Sequence, residues 1–460
     1  MNLLLNVEQL SVQAQQQMLV NPLSFELRQG EAVTILGETG SGKSLLANAI
    51  IGTLPGTLSM QGRINLFGQA QQDLSLSERQ KLWGKKLSVL PQEPWYALSP
   101  LMAVGEQVRE VHEIVNNDPA QAHSQTERAF TSVELEQDMA KYPHQLSGGM
   151  AQRVAYLCAT QAGGELLIAD EPTKGLDASR KDQIIDQLVS HKQRGAVLTI
   201  THDIEVAQRL GGEIIVMRKG VIQERGPAGR LLQQPVSAYA KALIAADPRF
   251  WPQAKLPDTG QPLIEAESLT MQFGDKTLFR DLSFTLAAGE ILGISGDSGC
   301  GKSTLADLIL GLQSPSAGCM TYKQRLRTGD ALKLYQDPPS ALAKSATLQT
   351  LLNDLCRHHQ LGTRNIQPLM QRLALSDDLL SRKATQVSGG ELQRFAVLRA
   401  LLMKPKLLIA DEPTSRLDPI TAASTLQLIV ELTQEMGCAL VLISHDKIAL
   451  EKTCHKIIAL

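Results

Sequence analysis

Two stretches of the chain carry the residue types that hold a polyphosphate: Gly37-Glu38-Thr39-Gly40-Ser41-Gly42-Lys43-Ser44 and Gly296-Asp297-Ser298-Gly299-Cys300-Gly301-Lys302-Ser303. A glycine-rich loop lets consecutive backbone N–H groups converge on phosphate oxygens at a helix N-terminus, where the helix dipole also favours an anion. In this pattern Lys43 and Lys302 neutralise the β- and γ-phosphates, and the hydroxyls of Ser44 and Ser303 ligate Mg²⁺. Further on, Asp170-Glu171 and Asp411-Glu412 each follow four apolar residues. Such a run puts the paired carboxylates at the C-terminal end of a buried strand, where α/β sheets bind ligands. The aspartates suit the metal shell, and the glutamates suit polarising a water for attack on the γ-phosphate.

The elements that must position these residues are legible around them. Ala32-Val33-Thr34-Ile35-Leu36 and Ile291-Leu292-Gly293-Ile294-Ser295 are short apolar runs leading into the glycine loops, the pattern of a buried parallel strand. Helices are predicted to start at Lys43 and Lys302. Leu166–Asp170, Ala196–Ile200, Leu407–Asp411 and Ala439–Ser444 supply further buried strands with helical stretches between them, so each half reads as α/β with a mainly parallel sheet.

The repeat divides 460 residues into two units of ordinary domain size. The Pro-rich, aperiodic segment 248–262 reads as a linker, giving domains at 1–247 and 263–460. The second half is shorter. It has lost part of the β-rich or helical insertion between its glycine loop and Gln336, and it lacks the tail that the first half carries through Tyr239.

With 45 Lys+Arg against 47 Asp+Glu, no basic field recruits nucleic acid. The N-terminus lacks the features of a signal peptide, and no apolar run reaches membrane-spanning length, so the chain is expected to be cytosolic by itself. Cys158, Cys300, Cys319, Cys356, Cys438 and Cys454 show no paired spacing, and free thiols are expected rather than a disulfide, zinc or iron–sulfur site.

Leu146-Ser147-Gly148-Gly149-Met150-Ala151-Gln152-Arg153 and Val387-Ser388-Gly389-Gly390-Glu391-Leu392-Gln393-Arg394 complete a series that resembles the ATP-binding cassette (ABC) family in two copies over nearly the whole chain. The resemblance implies two tandem P-loop ATPase domains, each with a RecA-like core, a β-rich edge and a helical signature subdomain, using ATP and Mg²⁺. It implies that the two domains pair within the chain, so that Lys43 and Glu171 face Ser388 and Gly390 while Lys302 and Glu412 face Ser147 and Gly149. Gln92 and Gln336 match the family's Q-loops, which sense Mg²⁺ and water and lean on the transport partner. His202 and His445 match its switch histidines on the γ-phosphate, and Asp177 and Asp418 match the loop that communicates across the pair.

Tyr142-Pro143-His144-Gln145, Gln92-Glu93-Pro94, Leu98-Ser99-Pro100, Gln336-Asp337-Pro338 and the tail from Gln234-Pro235 to Tyr239-Ala240-Lys241-Ala242-Leu243 are similar to the ATPases of peptide and nickel importers. The resemblance thus implies a peripheral subunit on the cytoplasmic face of the inner membrane. Its partners would be two integral-membrane permeases and a periplasmic or surface solute-binding protein, with peptide, nickel or a metal chelate as cargo. Two other readings are a double-cassette ATPase acting on ribosomes or DNA, whose long charged linker has no counterpart at 248–262, and an accessory ATPase of phosphonate breakdown.

Three departures from the family pattern carry expectations. Phe273 occupies the position of the aromatic that stacks on adenine, whereas the first half has Ala14 there, so the Lys43 site is expected to hold nucleotide less tightly. Val387 and Glu391 replace the commoner Leu and Gln of the signature, changes expected to lie away from its serine and glycines and to be tolerated. With all other groups present in duplicate, both sites are expected to turn over.

Overall fold

The structure is a computed structural model describing residues 2–15, 17–38, 40–174, 176, 178–274, 276–297, 299–335, 342–415 and 417–460. The chain forms two compact units, Met1–Ile244 and Ala245–Leu460.

The first unit opens with the hairpin β1 (Leu3–Ala14) and β2 (Gln17–Arg28), followed by β3 (Ala32–Leu36), β4 (Leu58–Leu66), β5 (Gln69–Ala70), β6 (Leu87–Leu90), β7 (Leu166–Asp170), β8 (Ala196–Thr201), β9 (Glu213–Arg218) and β10 (Val221–Pro227). An antiparallel sheet runs β2-β1-β4-β5, and a six-stranded sheet runs β10-β9-β3-β8-β7-β6. Five strands of the latter are parallel and β10 alone joins antiparallel. Every residue of β3 is buried, as its unbroken apolar sequence requires of a strand covered on both faces. Helices between β6 and β7 pack around Phe130, Val104 and Leu157 in a separate core that carries Leu146-Ser147-Gly148-Gly149.

The second unit repeats the plan with β11 (Pro262–Phe273), β12 (Lys276–Ala287), β13 (Ile291–Ser295), β14 (Ala317–Tyr322), β15 (Ala331–Leu334), β16 (Leu407–Asp411), β17 (Ala439–Ile443) and β18 (Lys456–Ala459). Its sheets run β12-β11-β14 and β15-β16-β17-β13-β18, the latter wholly parallel. The α/β class read from the sequence holds in both units. Among the described residues no helix is long and apolar enough to cross a membrane.

The shortening of the second unit has a definite location. Between β4 and β6 the first unit inserts β5, a turn at Gln71–Asp73 and the helix Leu76–Leu82; between β14 and β15 the second has only turns. The inserted turn has a structural task. Buried Gln71 donates through Nε2 to the carbonyls of Ala49 and Ile50 at 2.9 and 3.0 Å, closing the C-terminus of the helix Lys43–Ile51. Helix ends leave carbonyls that need such donors. In the second unit Tyr322 supplies the donor instead, its hydroxyl reaching the carbonyls of Leu308 and Ile309 at 3.4 and 3.0 Å. A residue already on β14 thus replaces the deleted turn.

The Pro-rich segment is packed on the second unit. Asp247 caps the turn Pro248–Phe250 through the N–H of Arg249, and Trp251 is buried in the core with Leu348, Phe395 and Leu450. Gln253 Nε2 and the N–H of Ala254 donate to the carbonyls of Glu451 and Lys452. His455 accepts from the N–H of Ile291 at Nδ1 and donates through Nε2 to the Pro257 carbonyl at 3.1 Å. Replacing Trp251 by Ala is expected to destabilise the second unit by about 3–5 kcal/mol, the usual cost of emptying a large aromatic site. In calorimetry the second unit's transition should fall while that of the first stays in place; a segment merely draped on the surface would leave both unmoved.

Candidate functional site

Each glycine loop joins the end of a central strand to a helix that begins at the lysine, Lys43–Ile51 in the first unit and Lys302–Ile309 in the second. Gly42 and Gly301 precede these helices at φ 92° and 111°, a left-handed turn that a side chain disfavours. A Cβ on Gly42 would also stand 2.8 Å from the Val20 side chain.

The turn brings carbonyls as well as N–H groups inward. Lys43 Nζ donates to the carbonyls of Gly37 and Glu38 at 2.7 and 2.8 Å, and Lys302 Nζ to those of Gly296 and Asp297, both at 2.8 Å. Both lysines are buried. Burial draws the Lys43 ammonium below its ordinary pKa, opposed by the negative charges of Glu171, Asp170 and Glu38.

The parallel sheet then sets the acids beside the loops. Asp170 and Asp411 end β7 and β16, in register with Ile200 on β8 and Ile443 on β17. Ser303 Oγ donates to Asp411 Oδ2 at 3.0 Å across 108 residues of chain. In the first unit burial raises the Asp170 pKa, and a hydrogen bond from Ser44 partly offsets this. Asp170 Oδ1 is buried without a hydrogen-bond partner. Two oxygen donors, one of them carrying this orphan lone-pair site, fit a hard divalent cation that keeps most of its shell for water and phosphate.

Glu171 and Glu412 follow with backbone φ of 49° and 47°, a left-handed conformation costing about 1–2 kcal/mol for a residue with a Cβ. Their N–H groups bond the carbonyls of Ile200 and Ile443, holding the turn that swings each carboxylate off its strand. His202 and His445 lie just past those register partners. His202 Nδ1 is 2.9 Å from Glu171 Oε2, and His445 Nδ1 is 3.5 Å from Glu412 Oε1. Thr201 Oγ1 adds a 3.3 Å bond to Glu171. Burial on its own raises the Glu171 pKa, yet the hydrogen bond and charge of His202, with the charge of Lys43, bring it below the ordinary value. The pKa of His445 is raised, foremost by its hydrogen bond to Glu412.

Each unit therefore gathers its own loop, lysine, serine, Asp-Glu pair and histidine. Gln92 lies on the loop leaving β6. Gln336, its expected counterpart, lies outside the described residues, as do Thr39, Asp177, Ser298, Asp337 and Pro338. Asp418 caps the helix Pro419–Glu435 by accepting from the Thr421 N–H. Ala14 and Phe273 end β1 and β11 at matching hairpin positions, paired with Gln17 and Lys276, and the Phe273 ring is half exposed.

The signature serines start helices within their own units. Ser147 caps Gly148–Thr160 by accepting from the Met150 N–H, and Ser388 caps Gly389–Leu402 by accepting from the Glu391 N–H. Here one expectation is corrected. Glu391 is not remote from the signature serine: its carboxylate accepts from the Ser388 N–H at 3.1 Å and hydroxyl at 2.7 Å. Three residues is the spacing at which a helix N-terminus forms this reciprocal box, so the pairing was readable from the sequence.

Tyr239 lies in the tail of the first unit, on the helix Ala238–Ala245. Its buried hydroxyl accepts the backbone N–H of Glu38 at 2.9 Å across 201 residues, and its ring lies 5.0 Å from the Arg218 guanidinium, which also reaches Glu38 Oε1 at 3.5 Å. The tail of the first unit thus pins its own phosphate loop. The thiols of Cys158, Cys438 and Cys454 are pushed up to about 12 by burial and serve as core side chains.

A parallel sheet ending in a lysine-bearing glycine loop, an Asp-Glu pair and a histidine, all present twice, defines a tandem P-loop ATPase. The chain belongs to the ABC transporter family and is an ATPase whose hydrolysis is coupled to transport: the family profile matches residues 20–174 and 279–415. It is 32% identical to the uncharacterized ABC transporter ATP-binding protein YejF of Escherichia coli K12, over 99% of this chain and 94% of that protein. It is 31% identical to the glutathione import ATP-binding protein GsiA of Pectobacterium atrosepticum, over 95% of this chain and 81% of that protein. The solved structure of RNase-L Inhibitor matches with a TM-score of 0.71 at 21% identity, covering 98% of this chain and 87% of that one, a likeness of fold alone.

Replacing Tyr239 by Phe removes one hydrogen bond and leaves the ring on Arg218. ATP affinity at the first site, isolated in a Lys302→Ala background, is expected to fall by about 1 kcal/mol, the net worth of such a bond. The second site, isolated by Lys43→Ala, should not respond; equal loss at both would mean that Tyr239 does not act through the loop.

Proposed function

We propose that this chain is the ATP-binding subunit of an importer for small peptides or peptide-like solutes of the glutathione kind. It would work on the inner face of the membrane with two separate permease subunits and a solute-binding protein. The observation that carries the reading is the likeness to a glutathione import ATP-binding protein along 95% of this chain, both ATPase units included. Nickel gains no support from the relatives named above. The domain limits 1–247 and 263–460, with 248–262 between them, remain part of this proposal.

The residues divide the chemistry as follows. Loop N–H groups and Lys43 or Lys302 bind the β- and γ-phosphates, the ammonium exchanging its loop carbonyls for phosphate oxygens. Ser44 with Asp170, and Ser303 with Asp411, would hold Mg²⁺, which when bound would neutralise phosphate charge, and family resemblance would add Gln92 and Gln336 to the residues that sense it. Glu171, kept ionised by His202 and Lys43, takes a proton from the attacking water, and Glu412 does so beside His445. The histidines orient these carboxylates and contact the γ-phosphate. Ser147, Gly148 and Gly149, with Ser388, Gly389 and Gly390, donate hydrogen bonds to the γ-phosphate from the signature loops, and Phe273 stacks on adenine.

Glu171→Gln and Glu412→Gln, made separately, are each expected to lower the steady-state ATPase rate by about a hundredfold or more at the altered site while ATP remains bound, since only proton transfer is lost. Wild-type turnover in either variant would remove the assigned base. The transport role is tested by affinity capture of the chain from native membranes: two integral-membrane permeases should co-purify, and uptake of a labelled small peptide should stop when both glutamates are replaced. Capture of ribosomes without permeases would overturn the importer reading.

A further inference from the structure

The two ATPase sites differ in charged groups outside the shared motifs, and in the second unit these include the pair Lys333 and Asp307. Lys333 on β15 is only 7% exposed, and its ammonium sits 2.8 Å from Asp307 Oδ1 and 3.5 Å from Asp411 Oδ2. Asp307 lies on the helix that starts at Lys302. Asp411 Oδ2 is the same oxygen that accepts the Ser303 hydroxyl. Lys333 also lies 5.5 Å from the ring of Tyr335, beside the start of the Q-loop.

In the first unit the charge of Lys174 acts on Asp170 from the turn after β7, but the strand position of Lys333 is apolar. Strand register places Val89 where Lys333 stands: Val89 pairs with Ile168 on β7 as Lys333 pairs with Ile409 on β16. On the phosphate-loop helices Asn48 stands five residues after Lys43, as Asp307 stands five after Lys302. The buried Asp170 carboxylate has Oδ1 without a hydrogen-bond partner, whereas at Asp411 the Lys333 ammonium and the Ser303 hydroxyl meet one oxygen, Oδ2.

We propose that Lys333 is a built-in counter-cation on Asp411 that weakens divalent-cation binding at the second site relative to the first. This rests on the reading of Ser303 and Asp411 as the metal-holding pair. The physical reason is direct. A fixed ammonium within 3.5 Å of a ligand carboxylate lowers that oxygen's negative potential and repels a second cation, and a buried pair is little screened by salt. Asp307 limits the effect by drawing the ammonium toward the helix. The Lys–Asp pair therefore sets how much of the charge Asp411 feels, making it a positioning device for the metal and not a catalytic group.

The test uses the full chain with a saturating non-hydrolysable ATP analogue, with Mn²⁺ as the titrant and bound Mn²⁺ read by electron paramagnetic resonance. Lys302→Ala leaves the first site and Lys43→Ala leaves the second. Mn²⁺ is expected to bind the second site about tenfold more weakly than the first, the order of effect of one partly compensated buried charge. Lys333→Val combined with Asp307→Asn recreates the first unit's Val89 and Asn48 and should close the gap. Asp307→Asn alone frees the ammonium for Asp411 and should widen it. Equal Mn²⁺ affinity at the two sites, a silent double variant, or tighter binding in Asp307→Asn would each overturn the proposal. Absence of nucleotide-dependent Mn²⁺ binding at both sites would instead remove the Ser–Asp metal reading, and this inference with it. Metal-free binding of the analogue serves as the check that each variant is folded, and Asp307→Asn, which adds no cavity, decides the matter if the double variant fails that check.

Discussion

Burying a lysine ammonium next to two carboxylates is the constraint on which both units turn. Taking such charges out of water costs several kcal/mol for each ion unless they are paired or hydrogen-bonded, yet Lys43 and Glu171 are both buried. The compensation comes from the backbone and from neighbours. Carbonyls of Gly37 and Glu38 solvate the ammonium, and His202 with Thr201 solvates the glutamate. The loop can aim carbonyls and amides into one small volume only by taking a left-handed turn at glycine. The carboxylates reach that volume only because β7 and β8 lie in the same parallel sheet as β3. Strand order, glycine placement and the left-handed glutamate serve one local charge balance.

The second unit keeps that balance with different supports. Tyr322 takes over the helix-closing task of Gln71 after the intervening insertion is lost. Glu412 has a longer contact with its histidine than Glu171 has. Both loops begin against a backbone carbonyl of, or just past, the neighbouring strand, Met217 for Gly37 and Leu460 for Gly296, and in the first unit the tail also pins Glu38 through Tyr239. The groups proposed to perform hydrolysis are duplicated, and the asymmetry lies in the residues that hold them.

Much of this was legible along the chain. The strands Ala32–Leu36, Ile291–Ser295, Leu166–Asp170 and Leu407–Asp411 run over the residues their apolar patterns mark, and both helices start at the lysines. Such features are local. A buried parallel strand needs an unbroken apolar run, a phosphate loop needs its glycines, and a capping box needs its partner three residues on, so each writes its own signature into consecutive residues. Duplication made the reading firmer, because the same signatures return in the same order.

The sequence by itself determined the class of fold, the repeat and the kind of ligand, and it supplied the residues proposed to bind and hydrolyse it. Only the tertiary structure decided which of them touch: Ser303 with Asp411, Glu38 with Tyr239, Gln71 with the end of the first phosphate-loop helix, and Lys333 with Asp307 and Asp411. It also decided that the Pro-rich segment, aperiodic and therefore read as a tether, lies packed on the second unit through Trp251. The reason is physical. Periodicity and turn chemistry report how a residue relates to its neighbours in the chain, while a hydrogen bond or ion pair across a hundred residues depends on sheet order, register and side-chain packing, which no local pattern encodes.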